Sequence, residues 1–231
     1  MRRRRIFIQI DRLWATDVTL ISLLVFLLFY IFFLYPLGQV GSFRPLTSVF
    51  FSLILITGAI TVSRNRIFRT LVFSWGLLTI VFLWVKHLFP YQTFIFVADC
   101  LGVFFLLLLT SLILSQVFRE GETNSRRIMG AVAAYLILGL TWSLAYHLIA
   151  LVIPEAFIVQ SPFTPVEKES LQSHLFYFSF VTLTTLGYGD IVAVHPAARM
   201  LVILEGVAGQ LFPAILIARL VSLHVQSRRR P

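Results

Sequence analysis

The sequence predicts an all-α membrane protein with six transmembrane helices and one re-entrant segment. Three observations carry that prediction. First, 58% of the 231 residues are hydrophobic and only 13% are charged, with a mean hydropathy of +0.91. A water-soluble domain carries roughly twice that share of charge. Second, six apolar runs come close to the length of about 20 residues that a bilayer demands: 18–35, 46–62, 67–85, 93–118, 128–153 and 197–223. Third, the basic residues fall between these runs or near their ends, with a strong bias to alternate gaps.

Taken in order, residues 1–17 open with Arg2, Arg3, Arg4 and Arg5 and then mix apolar residues with charge. They read as a cytoplasmic topology anchor, and the pattern also suits an interfacial helix on anionic inner-leaflet lipid. The first apolar run is long and lacks a small-residue cleavage site, so no signal peptide is expected. Residues 18–118 form a four-helix domain, 119–127 a short cytoplasmic linker, 128–223 a second membrane domain and 224–231 a basic tail. With the amino terminus inside, the inner segments hold Arg12, Arg64, Arg66, Arg69, Arg119, Arg126, Arg127, Arg219 and the arginines at both ends. The outer segments hold only Arg44, Lys86, Lys168 and Arg199. Both termini are therefore expected in the cytoplasm.

The fourth run has no arginine or lysine before Arg119, and Asp99 is its one internal charge. A helix that moves with membrane voltage needs several basic residues. The four-helix domain is therefore expected to be a structural collar or a ligand- or lipid-responsive unit, with Asp99 paired to Lys86 or His87. The linker is short and contains Gly121, so each four-helix domain is expected to pack beside its own second domain.

Between the fifth and sixth runs lies an apolar stretch, 174–184, too short to span. It leads into Thr184, Thr185, Leu186, Gly187, Tyr188, Gly189 and Asp190. Glycine reaches backbone angles closed to other residues. Its alternation with larger residues lets successive carbonyls point one way, a geometry neither helix nor strand permits. Thr185 adds a hydroxyl at the inner end. Irregular backbone at membrane depth is tolerated only where protein surrounds it or it lines water.

This heptapeptide resembles the selectivity filter of the potassium-channel family, with Leu186 where the commonest form has valine. The resemblance extends over 128–223 as outer helix, re-entrant pore helix, filter and inner helix. It implies that K+ sheds its water onto the carbonyls of Thr185, Leu186, Gly187 and Tyr188 and the Thr185 hydroxyl, with Gly189 completing the row. One chain offers one oxygen per level, so a homotetramer is implied. Thr184, Asp190, Tyr177 and Phe178 are implied as filter support. Phe176 and Phe180 would complete an aromatic belt, and the Tyr177 hydroxyl would bond Asp190. Val181 stands where one two-span relative braces its filter with glutamate, so that brace is missing. Six spans with a pore between the last two look like the voltage-gated cation-channel architecture without its sensor charges.

In the sixth run, Gly206 and Gly209 fall where the family's inner helix bends, and Pro213 lacks a backbone donor. Gln210, Pro213 and Ile217 share one face at helical spacing and are expected to line a cavity. Glu205 is an ionisable residue inside the membrane and therefore a functional candidate. It is expected to hydrogen-bond the base of the pore helix through Thr182 or Thr184, or else to sit protonated and satisfied.

Other classes are poorly served. The lone Cys100 allows no intrachain disulfide, the five histidines have no metal-ligand spacing, and no phosphate loop, EF-hand or catalytic triad occurs. The net charge of +9 follows membrane topology and not a nucleic-acid face. No enzyme and no organic cofactor is expected beyond permeant K+. The alternatives are a weakly selective cation channel and a non-conducting membrane sensor or accessory subunit. The lack of long loops or an outer glycosylation acceptor leans towards a prokaryotic cell membrane.

Overall fold

The computed structural model describes residues 18–34, 44–62, 66–118, 125–160 and 168–228. The amino-terminal segment, linker residues 119–124 and residues 229–231 lie outside them. The elements are α1 (Val18–Leu34), which closes in a π-helical turn over Tyr30–Leu34, α2 (Arg44–Val62), α3 (Arg66–Leu88), α4 (Gln92–Val117) and α5 (Ser125–Val152). A short strand β1 (Phe157–Val159), α6 (Lys168–Leu183), a second strand β2 (Ile191–Ala193) and α7 (Pro196–Arg228) complete the order.

Four stretches, Thr70–Leu88, Gln92–Val117, Ser125–Val152 and Pro196–Arg219, are long and apolar enough to cross a membrane. The helices Val18–Leu34 and Pro45–Thr61 are apolar but shorter. The chain is thus mostly helical with membrane-length helices, as composition demands. Helix boundaries shift from the expected ones. α5 begins at Ser125, so Arg126 and Arg127 belong to its first turn and not to the linker. α7 continues through Arg228, so most of the expected tail is helix.

α4 is the hub of the fold. Its Phe105, Leu106, Leu109 and Ile113 are buried against Leu27 of α1, Ile54 and Leu55 of α2 and Ile137 of α5. One polar bond pins the same α4–α5 interface, and another ties α4 to α7. Gln92 Nε2 donates to the Leu151 carbonyl at 2.7 Å. At the opposite end, Arg219 of α7 donates to the carbonyl of Phe118, the C-cap of α4, at 3.3 Å. A guanidinium there satisfies a carbonyl the helix leaves open and suits the negative end of its dipole. Within the chain α4 therefore packs on α5 and is bonded to α7.

Asp99 is 2% exposed and holds two partners. Lys86 Nζ of α3 lies 3.6 Å away, and His147 Nδ1 of α5 lies 2.5 Å from the other oxygen. The expected Lys86 contact is present. His87 instead bonds Ser48 of α2 at 2.6 Å. His147, which its spacing gave no reason to single out, carries the Asp99 pair across to α5. Breaking a buried pair leaves an uncompensated charge, which costs about 3–5 kcal/mol. Asp99→Ala is expected to lower the thermal midpoint of the detergent-solubilised protein strongly, and an unchanged midpoint would mean that packing alone holds α4 to α3 and α5.

Candidate functional site

α6 stops at Leu183, and the next residues fold back on its last turn. Thr184 N–H donates to Phe180 O at 3.0 Å, Thr185 N–H to Thr182 O at 2.9 Å and Leu186 N–H to Val181 O at 2.9 Å. The Thr184 hydroxyl also donates to Phe180 O at 2.6 Å. Carbonyls that a helix C-terminus leaves open are thereby satisfied.

The backbone beyond this turn alternates in hand. Thr185, Gly187 and Gly189 have φ of 60°, 58° and 78°, while neither Leu186 nor Tyr188 is among the positive-φ residues. In an extended strand successive carbonyls alternate sides. Alternating left- and right-handed angles cancel that alternation and bring the row to one face. A β-branched residue in the left-handed region is a genuine outlier, and such strain persists only where the surroundings enforce it. At Gly187 the backbone angle and not space demands glycine, because a Cβ there would meet nothing within 4 Å. Residues Thr184 to Gly189 are all exposed in the chain, Leu186 at 60% and Tyr188 at 68%.

Both ends of the loop are gripped. At the Asp190 end, Gln160 N–H donates to Asp190 O at 2.8 Å, and β1 pairs antiparallel with β2 in the register Val159↔Ile191. This small sheet was not legible in the sequence. Tyr177, half-exposed on α6, hydrogen-bonds the Asp190 side chain. That bond ties α6 to the Asp190 end of the loop. At the Leu183 end, the Tyr135 hydroxyl of α5 donates to Leu183 O at 3.0 Å. From the other side Gly209 of α7 lies so close that a Cβ would stand 2.0 Å from the same oxygen.

The other candidates fall in different places. Phe178 is buried against Tyr146 and Phe157, with ring centroids 5.3 and 5.7 Å apart. Phe176 packs on Phe180 at 4.9 Å and faces Tyr30 of α1. Phe176 and Phe180 therefore pack on rings of their own chain, while Tyr177 bonds Asp190 and Phe178 shares a cavity with Thr185, Gly187 and Gly189 of the loop. Gly209 serves close packing. α7 runs unbroken through Pro213. Gln210, Pro213 and Ile217 are exposed along it, and a Cβ at Gly206 would meet nothing within 4 Å.

Glu205 does not reach Thr182 or Thr184. Its carboxyl is fully buried between the Tyr146 hydroxyl of α5, which contacts Oε2, and the Ser179 hydroxyl of α6, 2.5 Å from Oε1. Tyr135 and Tyr146 hold the candidate site and had no signal of their own in the sequence. Their separation of 11 residues is three helical turns, which puts both on the α5 face that meets α6.

Residues 134–226 match the model of a protein family described as "Ion channel". The matched stretch takes in most of α5, both strands, α6, the loop and nearly all of α7, and leaves out the four N-terminal helices. No curated protein matches the chain. Together with the membrane-length helices, the family match supports an ion channel.

The gap between Leu183 O and Gly209 leaves no room for a methyl group. Gly209→Ala is expected to force α6 and α7 apart at a cost of about 1–3 kcal/mol, read as a lower thermal midpoint, whereas Gly206→Ala should be tolerated. Equal midpoints for the two variants would refute the close approach. Tyr177→Phe removes the bond to Asp190 while keeping the ring. Exchange of the amides of residues 186–190 with deuterium is expected to quicken, and unchanged exchange would show that the β1–β2 pair suffices.

Proposed function

We propose that the protein is a potassium-selective channel in which four copies of the chain bring the loop 185–188 to a common axis. The observation that carries this reading is the alternation of φ at Thr185, Gly187 and Gly189. It turns the carbonyls of Thr185, Leu186, Gly187 and Tyr188 to one face, with the Thr185 hydroxyl at the inner end. A stack of carbonyl rings can replace the water around K+. One chain offers a single oxygen at each level, too few to hold a dehydrated cation, so the chemistry calls for several copies. α7 supports an assembly independently. Only 11% of its most apolar window is buried within the chain, and Met200, Ile203, Leu204, Val207 and Leu211 are exposed along it.

In this reading α6 is the re-entrant pore helix, α5 and α7 are the outer and inner helices, and Asp190 marks the outer mouth. Gly206, Gln210, Pro213 and Ile217 line or shape the inner cavity. All six apolar helices cross the membrane, both termini are cytoplasmic, and lipid covers the exposed faces of α1 and α3. The four-helix domain carries little gating charge, because α4 has no basic residue between Gln92 and Val117. Each charge moved through the membrane field is worth about 2.3 kcal/mol per 100 mV, so without such charges conduction should respond weakly to voltage.

The test is flux through the purified protein in liposomes under K+ and Na+ gradients at several voltages. Potassium-selective flux with shallow voltage dependence is expected. Alanine at the Gly187 angle costs about 1–2 kcal/mol in every subunit, so Gly187→Ala should abolish selectivity or flux. Equal Na+ and K+ flux would favour a weakly selective cation channel. No flux under any gradient would favour a non-conducting subunit.

A further inference from the structure

The buried carboxyl of Glu205 joins three helices, and the protons available to it can be counted. Three contacts meet at this point. The Tyr146 hydroxyl touches Oε2. The Ser179 hydroxyl lies 2.5 Å from Oε1 and also 2.8 Å from the carbonyl of Gly139 on α5. Each contact needs one hydrogen between its two oxygens. Tyr146 supplies one and Ser179 one, and the Gly139 carbonyl supplies none. With an ionised Glu205, Ser179 must choose between the carboxylate and Gly139 O, and one close oxygen pair is left without a hydrogen. A proton on Oε1 completes the set. Glu205 then donates to Ser179, Ser179 donates to Gly139 O, and Tyr146 donates to Oε2.

The surroundings agree with a neutral acid. Glu205 and Ser179 are fully buried, as is the ring of Tyr146. Among the described residues no basic side chain pairs with Glu205, whose contacts are the hydroxyls of Tyr146 and Ser179. The titratable groups that face Glu205 are Tyr146 and Tyr135, both phenols on α5. A buried carboxylate without a cation is unfavourable, whereas a buried acid with all its hydrogen bonds made is not.

We propose that Glu205 is a neutral carboxylic acid that locks α7 to α5 and α6 through a proton chain running to Ser179 and Gly139 O, and so acts as a positioning residue for the loop that follows α6. The chain lies one helical turn before Leu183, whose carbonyl is gripped by Tyr135 and Gly209. Loosening it frees α6 to rotate and the left-handed angle at Thr185 to relax. The geometry stands by itself, and its effect on conduction rests on the channel reading.

The test uses the full chain with Glu205→Gln, Glu205→Leu and Ser179→Ala, compared by deuterium exchange over residues 180–190 and by the decay of K+ flux as external K+ is lowered. An amide copies a neutral acid, with N–H donating to Ser179 and C=O accepting from Tyr146. Glu205→Gln should therefore match the unaltered protein in both readouts. Glu205→Leu and Ser179→Ala should exchange roughly tenfold faster, with quicker decay of flux. Should the leucine variant fail to fold, Ser179→Ala decides alone. Glu205→Gln as damaging as Glu205→Leu would mean an ionised Glu205 and overturn the proposal. Unchanged exchange in Ser179→Ala would also overturn it, leaving α6 held by packing. If the unaltered protein shows no K+-selective flux yet the exchange pattern holds, the channel reading falls and the lock stands.

Discussion

A backbone carbonyl aimed at an ion is a carbonyl withdrawn from the protein's own hydrogen bonding. Buried carbonyls elsewhere are almost always paired, and in a membrane the alternative partner, water, is scarce. In the channel proposed above, the loop after α6 needs a row of such carbonyls, held in alternating backbone angles that Thr185 does not favour. Nothing within the loop can enforce that. The rest of the chain has to, and much of the structure is the apparatus that does so. The last turn of α6 takes the loop's first amide hydrogens. The β1–β2 pair and Gln160 hold its Asp190 end, while Tyr135 and Gly209 hold the Leu183 carbonyl at its start.

That demand also gives meaning to the polar residues inside the helix packing. Glu205, Tyr146 and Ser179 come from three helices and meet in a site closed to solvent. Apolar contacts tolerate small rotations of one helix against another, but a set of short hydrogen bonds does not. Asp99 with Lys86 and His147 plays the same part between α3, α4 and α5. It ties the four-helix domain to the wall of the candidate pore. α3 and α4 are thereby linked to α5, and Arg219 links the C-terminal end of α4 at Phe118 to the far end of α7.

Much of the fold was legible because membrane proteins are constrained one run at a time. Hydropathy locates each helix without reference to any other, and the run 174–184 was legible as a short helix because it is too brief to span. The glycine alternation at 187 and 189 was legible because φ is a local property. What was misread was relational. Phe176 and Phe180 were expected around the loop and instead pack on each other, with Phe176 facing Tyr30 of α1. Gly209 was expected to bend α7 and instead makes room for Leu183. Glu205 was expected to find a threonine on α6 and finds Ser179, about one turn earlier. β1 is three residues long, separated from its partner by α6, and so short a strand leaves no periodicity to read.

Sequence alone determined that this chain is built of membrane helices, that α4 carries no run of basic residues, and that residues 184–190 can turn their carbonyls to one side. Each follows from composition or from the backbone freedom of a single residue. Tertiary structure decided which partner each buried polar group takes, and which side of α6 faces the loop. The reason is geometric. A hydrogen bond depends on the rotation and depth of two helices to within an ångström or so, and that placement is set by how all the helices pack together and not by any one of them.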